Sequence, residues 1–167
     1  MRFYLLDRVT QIDLGHTISG LKCWSMTEEY LEQHFPGFPV IPGVLVTESM
    51  AQLLGILIEK TYHKNYPNTD GVYAVLTIIH KAKFKKFLIP GDQARLEAKM
   101  TSIDKNMASG TVKVYVGDEL FNQAELTFGL IPKTNLPNDR LAKMREEYFD
   151  VLFNAKSVRD NLGSTGR

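Results

Sequence analysis

Residues 44–64 read VLVTESMAQLLGILIEKTYHK, and the placement of this stretch decides the fold. It is rich in Leu, Met, Ala and Gln and contains no proline, which is helix composition. Its apolar residues fall on every side of a helical wheel instead of forming one stripe. A helix of that kind is enclosed by the rest of the chain. Gly55 interrupts it at a cost of ~1 kcal/mol against alanine, which a strand crossing close to the helix would explain. The apolar run from Val44 to Ile58 contains Glu48 and falls short of the ~20 residues a bilayer span requires.

On both sides of this helix the hydrophobic period drops to two. HTISGLKCWS (16–25) reads as a strand before it, preceded by another near the N-terminus. After it, GVYAVLTII (71–79) is a continuous apolar run of strand length, and KAKFKKFL (81–88) alternates in its first part. Alternation places Leu96, Ala98 and Met100 on one face, then Val112, Val114 and Val116, then Ala124, Leu126, Phe128 and Leu130. VGDEL (116–120) is a tight turn between the last two strands. The expected order is strand, strand, buried helix, four strands: an α+β chain whose antiparallel sheet wraps a long central helix. Thr27 is a candidate N-cap for a short helix over EEYLEQ (28–33).

Residues 1–132 read as one domain, and 133–167 as a linker and C-terminal helical extension. IPKTNLPNDR (131–140) has linker composition. In NDRLAKMREEYFDVLF (138–153), Leu141, Met144, Tyr148, Val151 and Leu152 recur at helical spacing. They predict an amphipathic helix that docks on the body or on another subunit.

The 167 residues carry 20 basic and 19 acidic side chains, so net charge gives no sign of a nucleic-acid partner. One cysteine, Cys23, excludes an internal disulfide and fits a reducing compartment. It precedes Trp24 and reads as a core residue. MRFYLLDRVT has too short an apolar stretch for a secretory signal. A soluble, cytoplasmic protein without membrane insertion is expected. His16, His63 and His80 have no metal-ligand spacing and read as structural or exposed, and no metal is expected.

Three features converge in HFPGFPVIPGVLVTE (34–48). Glu48 is the sole ionisable residue between Val44 and Ile58, with Gln52 as its one polar neighbour on the same helical face. Burial would raise its pKa and suit it to general acid work; the competing reading is a solvent-facing or ion-paired glutamate. His34 has an ordinary pKa near ~6.5, which suits a general base, although a histidine beside prolines is more often structural. Pro42-Gly43 lies at the helix start, where free N–H groups of Gly43 and Val44 could stabilise an oxyanion.

The stretch HFPGFPVIPGVLVTESMAQ (34–52) resembles the signature of the FabZ-type (3R)-hydroxyacyl-acyl-carrier-protein dehydratases. It meets every specified position of the pattern H-F-P-x-x-P-x-x-P-G-V-L-x-x-E-x-x-A-Q. MRFYLLDRV, KAKFKKFLIPGDQARLE and QAELTFGLI extend the similarity to about residue 132. The resemblance implies a hot-dog fold and a homodimer, often a trimer of dimers, with His34 of one chain near Glu48 of the other. It implies loss of water from a (3R)-hydroxyacyl thioester on acyl carrier protein to give the trans-2-enoyl thioester, with no cofactor. In that reading His34 removes the C2 proton. The amides of Gly43 and Val44 hold the thioester oxygen, Glu48 protonates the leaving hydroxyl, and Gln52 orients Glu48. Apolar residues around the helix would line an acyl tunnel.

Some positions depart from the family pattern. Phe87 stands where many relatives have proline, Phe38 replaces a frequent histidine, and the tail is longer than usual. FabA-type relatives, which also isomerise the double bond, carry aspartate at the position of Glu48. That difference favours simple dehydration. Lys81, Lys83, Lys85 and Lys86 form a basic cluster: either a solvated strand face or, given the resemblance, a docking patch for acidic carrier protein. The competing functions are a hot-dog thioesterase or acyl-CoA hydratase, and a non-catalytic partner subunit of a heteromeric dehydratase.

Overall fold

The computed structural model describes residues 3–135 and 143–154. Helix α1 (Gly43–Asn65) is the axis of the molecule. Met50, Leu53, Leu54, Leu57 and Ile58 along it are fully buried. Each such side chain contributes about 1.5–3 kcal/mol through the area it removes from water. Two of the buried polar residues of the helix are satisfied locally. Thr47 Oγ1 donates to the Gly43 carbonyl and Ser49 Oγ to that of Leu45, one turn back.

Six antiparallel strands wrap this helix: β1 (Arg8–Asp13), β2 (Thr17–Cys23), β3 (Val72–Phe84), β4 (Gln93–Ile103), β5 (Met107–Val116) and β6 (Glu119–Pro132). Their spatial order is β1-β2-β4-β5-β6-β3. This is the hot-dog arrangement. The alternation expected from the sequence holds: Leu96, Ala98, Val112, Val114, Ala124, Leu126 and Phe128 all face the helix and are buried. Gly117 makes the expected β5–β6 turn with a positive φ of 59°.

Several local expectations are corrected. GVYAVLTII and KAKF form one long strand, β3, which gives the expected four strands after the helix; its pairing with β6 shifts register twice. The strand lies at the sheet edge, far from β4, the next strand in the chain. EEYLEQ forms a 3-10 turn over Glu29–Glu32, not an α-helix. Thr27 caps nothing there, because its hydroxyl is bonded to Ser25 Oγ. Cys23 is exposed, because the inward positions of β2 are Ile18, Gly20 and Lys22, which leaves Cys23 on the opposite face. The segment 131–140 starts as the end of β6 and a 3-10 turn at Lys133–Asn135. The remainder of that linker lies outside the described residues.

The close helix–strand crossings are not at Gly55. A Cβ there would lie 3.9 Å from Ala74 and Phe128, an ordinary contact. They are at Gly20 of β2 and Gly110 of β5, which rest on the consecutive residues Leu53 and Leu54. A Cβ on Gly110 would sit 2.7 Å from the Lys99 carbonyl oxygen and 2.8 Å from Leu54. Gly110→Ala is therefore expected to cost about 1–3 kcal/mol through overpacking, seen as a lowered thermal midpoint. Gly55→Ala should hold or raise the midpoint. Equal midpoints for the two variants would refute this placement of the crossings.

Residues 143–154 form a second helix, α2, which docks on the body of its own chain. Its inward face carries Arg145, Tyr148, Phe149, Leu152 and Phe153, whereas Met144 and Val151 are exposed. Leu141 lies outside the described residues. Tyr148 stacks on Tyr4 with ring centroids 4.0 Å apart, and its hydroxyl donates to the Leu6 carbonyl at 3.0 Å. No helix of the described residues is long and apolar enough to cross a membrane.

Candidate active site

The loop before α1 positions His34. Phe35 and Phe38 exchange backbone hydrogen bonds of 3.0 and 2.9 Å around Pro36-Gly37, and the Val40 N–H returns to the His34 carbonyl at 3.0 Å. The Ile41 N–H donates to the Leu88 carbonyl at 2.8 Å, tying the loop to the segment after β3. The His34 ring stacks on Phe35, and its Nδ1 lies 2.8 Å from the Val40 carbonyl oxygen. That oxygen can only accept, so Nδ1 carries a proton, and in the neutral ring Nε2 is the nitrogen with the lone pair.

Helix α1 starts after Pro42 without a side-chain cap and with no acidic residue in its first turn. The N–H groups of Leu45 and Val46 both reach the Pro42 carbonyl, at 2.9 and 3.3 Å. The amides of Gly43 and Val44 precede these and have no intrahelical acceptor available to them. The Phe84 ring packs on Gly43, 3.1 Å from where a Cβ would stand. A side chain at this position would require the ring to shift by a few tenths of an ångström.

One turn further on, Glu48 is half-buried, between the buried and the solvent-facing readings that the sequence left open. It faces a cavity of about 410 Å³ between α1, β3, the N-terminal segment and α2. The side-chain amide of Gln52 fixes its orientation. Gln52 Nε2 donates to Glu48 Oε1 at 2.9 Å and to the Phe3 carbonyl at 2.9 Å, while Gln52 Oε1 accepts the Leu5 N–H at 2.9 Å. With Oε1 already receiving an N–H, a proton held by Glu48 resides on Oε2. The expected Glu48–Gln52 pair is thus present. The clamp on residues 3–5 was not legible, since nothing in the spacing joins Gln52 to a segment 47 residues earlier.

Among the described residues no hydrogen bond links His34 with Glu48 of the same chain, and His34 does not line the Glu48 cavity. Surrounding both is an unusually apolar surface. Val44 is 75% exposed and Phe87 69%, with Phe38 and Phe84 also exposed. The outermost strand, β3, leaves Val75, Ile78 and Ile79 exposed as well. A long edge strand of this kind is a template for pairing with another chain.

The carboxylate that is buried is Glu59, 7% exposed. It accepts the Ala74 N–H at 2.9 Å and pairs with Arg145 of α2. Burial pushes its carboxyl above the ordinary value of 4.5; Arg145 and the Ala74 amide offset only part of that effect. A carboxyl raised in this way binds its proton more readily in the folded chain. Its contribution to stability is full below pH 4.5 and is lost as pH rises through the folded value. Glu59→Gln, which keeps an acceptor for Ala74, should flatten the fall in thermal midpoint above pH 4.5. Parallel midpoint–pH curves for the two proteins would contradict this.

Lys81, Lys83, Lys85 and Lys86 are all exposed. Lys81 and Lys83 stand opposite Glu125 and Gln123 of β6, and Lys85 lies beyond the end of β3. Lys86 pairs with Glu119 and lies over the Phe121 ring at 5.7 Å. His16, His63 and His80 are exposed, with His80 Nε2 2.8 Å from Thr127 Oγ1. Among the described residues no group of three or more His, Cys, Asp or Glu side chains is placed to hold a metal ion.

Comparison with known proteins adds independent findings. The model of the FabA-like domain matches residues 1–125. A 3-hydroxyacyl-[acyl-carrier-protein] dehydratase FabZ of Clostridioides difficile is 34% identical over 131 residues, 78% of this chain and 89% of that protein. The protein of the same name from Natranaerobius thermophilus is 38% identical over 129 residues, 77% of this chain and 87% of its own. Among solved structures, the dehydratase heterocomplex ApeI:P from Xenorhabdus doucetiae superposes with a TM-score of 0.65 at 15% identity, covering 80% of this chain and 87% of that one. Zebra fish thioesterase superfamily member 2 gives 0.57 at 14%, over 73% and 79%. At such identities these two share the fold alone.

Proposed function

We propose that this chain, which belongs to the FabZ-type 3-hydroxyacyl-[acyl-carrier-protein] dehydratases of the FabA-like family, removes water from a (3R)-3-hydroxyacyl thioester on acyl carrier protein to leave the trans-2-enoyl thioester. It is a hydro-lyase of fatty acid biosynthesis. The observation that supports the mechanism is that His34 and Glu48 each have one polar atom engaged and one left for the substrate. His34 Nδ1 is engaged by the Val40 carbonyl, which leaves Nε2 for proton transfer, and Glu48 Oε1 is engaged by Gln52, which leaves Oε2 for it.

In this reading the thioester oxygen lies against the leading amides of α1, at Gly43 and Val44. Charge developing on it meets N–H groups and the positive end of the helix dipole. His34 Nε2 takes the C2 proton. The C3–O bond breaks as Glu48 gives its proton to the departing hydroxyl, and water leaves. Gln52 keeps Glu48 turned to the cavity throughout. The exposed edge of β3 and the apolar collar around Gly43 support a homodimer in which His34 of one copy meets Glu48 of the other. The four lysines at the end of β3 would then steer the acidic carrier protein to that interface.

The test is incubation of the full chain with a 3-hydroxyacyl carrier protein, read by mass. Loss of one water from the acyl group is expected. Release of free carrier thiol would point to thioester hydrolysis, and no change under conditions where a control dehydratase acts would reject the reaction.

A further inference from the structure

The Glu48 cavity extends along α1 past Ala51 and Gly55, and its far side is built by Tyr148 and Phe149 of α2. Helix α2 lies beyond residues 1–125 matched by the family model. We propose that α2 is the end wall of the acyl site and sets the longest acyl chain the enzyme accepts. The inference rests on the dehydratase reading, in which Glu48 marks the position of the substrate's C3 and the chain beyond C3 must run into this cavity.

The wall is anchored, not loosely laid over the opening. Tyr148 stacks on Tyr4, and its hydroxyl both donates to the Leu6 carbonyl and accepts the Leu6 N–H at 3.2 Å. Arg145 pairs with buried Glu59, and Leu152 is fully buried. Lys60 lies over the rings of Phe149 and Phe153, 5.8 and 4.7 Å from their centroids. Glu59 is eleven residues after Glu48 in α1. At 1.5 Å rise per residue, the anchor stands roughly 16 Å along the helix from the acid. Arg145, the partner of Glu59, lines the cavity. At about 410 Å³ the cavity lies toward the small end of the ~300–1,000 Å³ usual for ligand sites. The opposite side of the slot is low because Gly55 has no side chain. A methyl there would stand in ordinary contact with Ala74 and Phe128, 3.9 Å away.

The experiment uses the full chain and two variants, Phe149→Ala, which opens the wall, and Gly55→Ala, which fills the floor. S-alkyl pantetheine thioethers of increasing length, which cannot dehydrate, are titrated calorimetrically. Carrier-bound 3-hydroxyacyl chains of the same lengths are assayed for water loss. Affinity in the native chain should rise with length and then stop at a cut-off. Phe149→Ala should move the cut-off to longer chains and raise kcat/KM for the first excluded length by roughly tenfold or more, the usual weight of a methylene in an apolar pocket. Gly55→Ala should move it to shorter chains. If Phe149→Ala fails to fold, Gly55→Ala alone decides, since its methyl has ordinary clearance. A cut-off unchanged in the folded variants, or no binding of any length by the native chain, overturns the wall. A cut-off that moves while no hydroxyacyl chain loses water leaves the wall standing and refutes the dehydratase reading.

Discussion

His34→Ala should lower the turnover number for dehydration by roughly two to four orders of magnitude, the range of a general base in proton abstraction, and leave the fold nearly unchanged. The ring is half-buried against exposed Phe35 and belongs to no part of the core. The loop is closed by backbone bonds, Val40 to His34 and Phe38 to Phe35, which the substitution keeps. Only the Nδ1–H bond to the Val40 carbonyl is lost, a net effect of about 0.5–1.5 kcal/mol. In the proposed mechanism stability and activity therefore separate, because there the ring's remaining task is to present Nε2 to the C2 proton. Pre-steady-state conversion of a 3-hydroxyacyl carrier protein, together with a thermal melt, measures both. A variant that turns over within a fewfold of native would remove His34 from the chemistry.

What could be read in advance follows a physical division. Period-two burial in β4, β5 and β6 and the all-round apolar character of α1 are local properties of consecutive residues, so the sheet around a helix was legible. So was the meeting of Glu48 with Gln52, one turn apart on a single helix. The misreadings, and the reading left open, concern residues whose surroundings are made by distant segments. The helical wheel left Glu48 open between a buried and a solvent-facing acid; it is half-buried, because the cavity beside it is bounded by Phe3 and Tyr4 at one terminus and by α2 at the other. Gly55 was read as a crossing point, whereas Gly20 and Gly110 fill that role from two strands that carry no glycine pattern of their own. The Glu59–Arg145 pair joins positions 86 residues apart, and no spacing rule connects them. Cys23 was assigned inward from its neighbour Trp24, and strand alternation alone would have corrected it.

Glu48→Gln should match the histidine variant in effect, with turnover lowered by roughly two to four orders of magnitude. An amide at this position is isosteric and can still accept the Gln52 N–H, so the clamp on Phe3 and Leu5 survives, but it cannot give a proton to a departing hydroxyl. The pair of inactive proteins then tests where acid and base meet. If each site takes His34 from one copy and Glu48 from the other, a dimer of one His34→Ala chain and one Glu48→Gln chain has one site with both defects and one site with none. Random exchange of equal amounts makes half of the dimers mixed, so activity should recover to about a quarter of native, as two-fold symmetry requires. Sites contained within single chains would recover nothing, because every chain in the mixture lacks one of the two groups. Exchange is verified independently by native mass spectrometry of differently tagged chains. Proven exchange without recovered activity would return both residues to one chain. It would also leave the exposed β3 edge and the apolar collar around Gly43 without the catalytic role that pairing gives them.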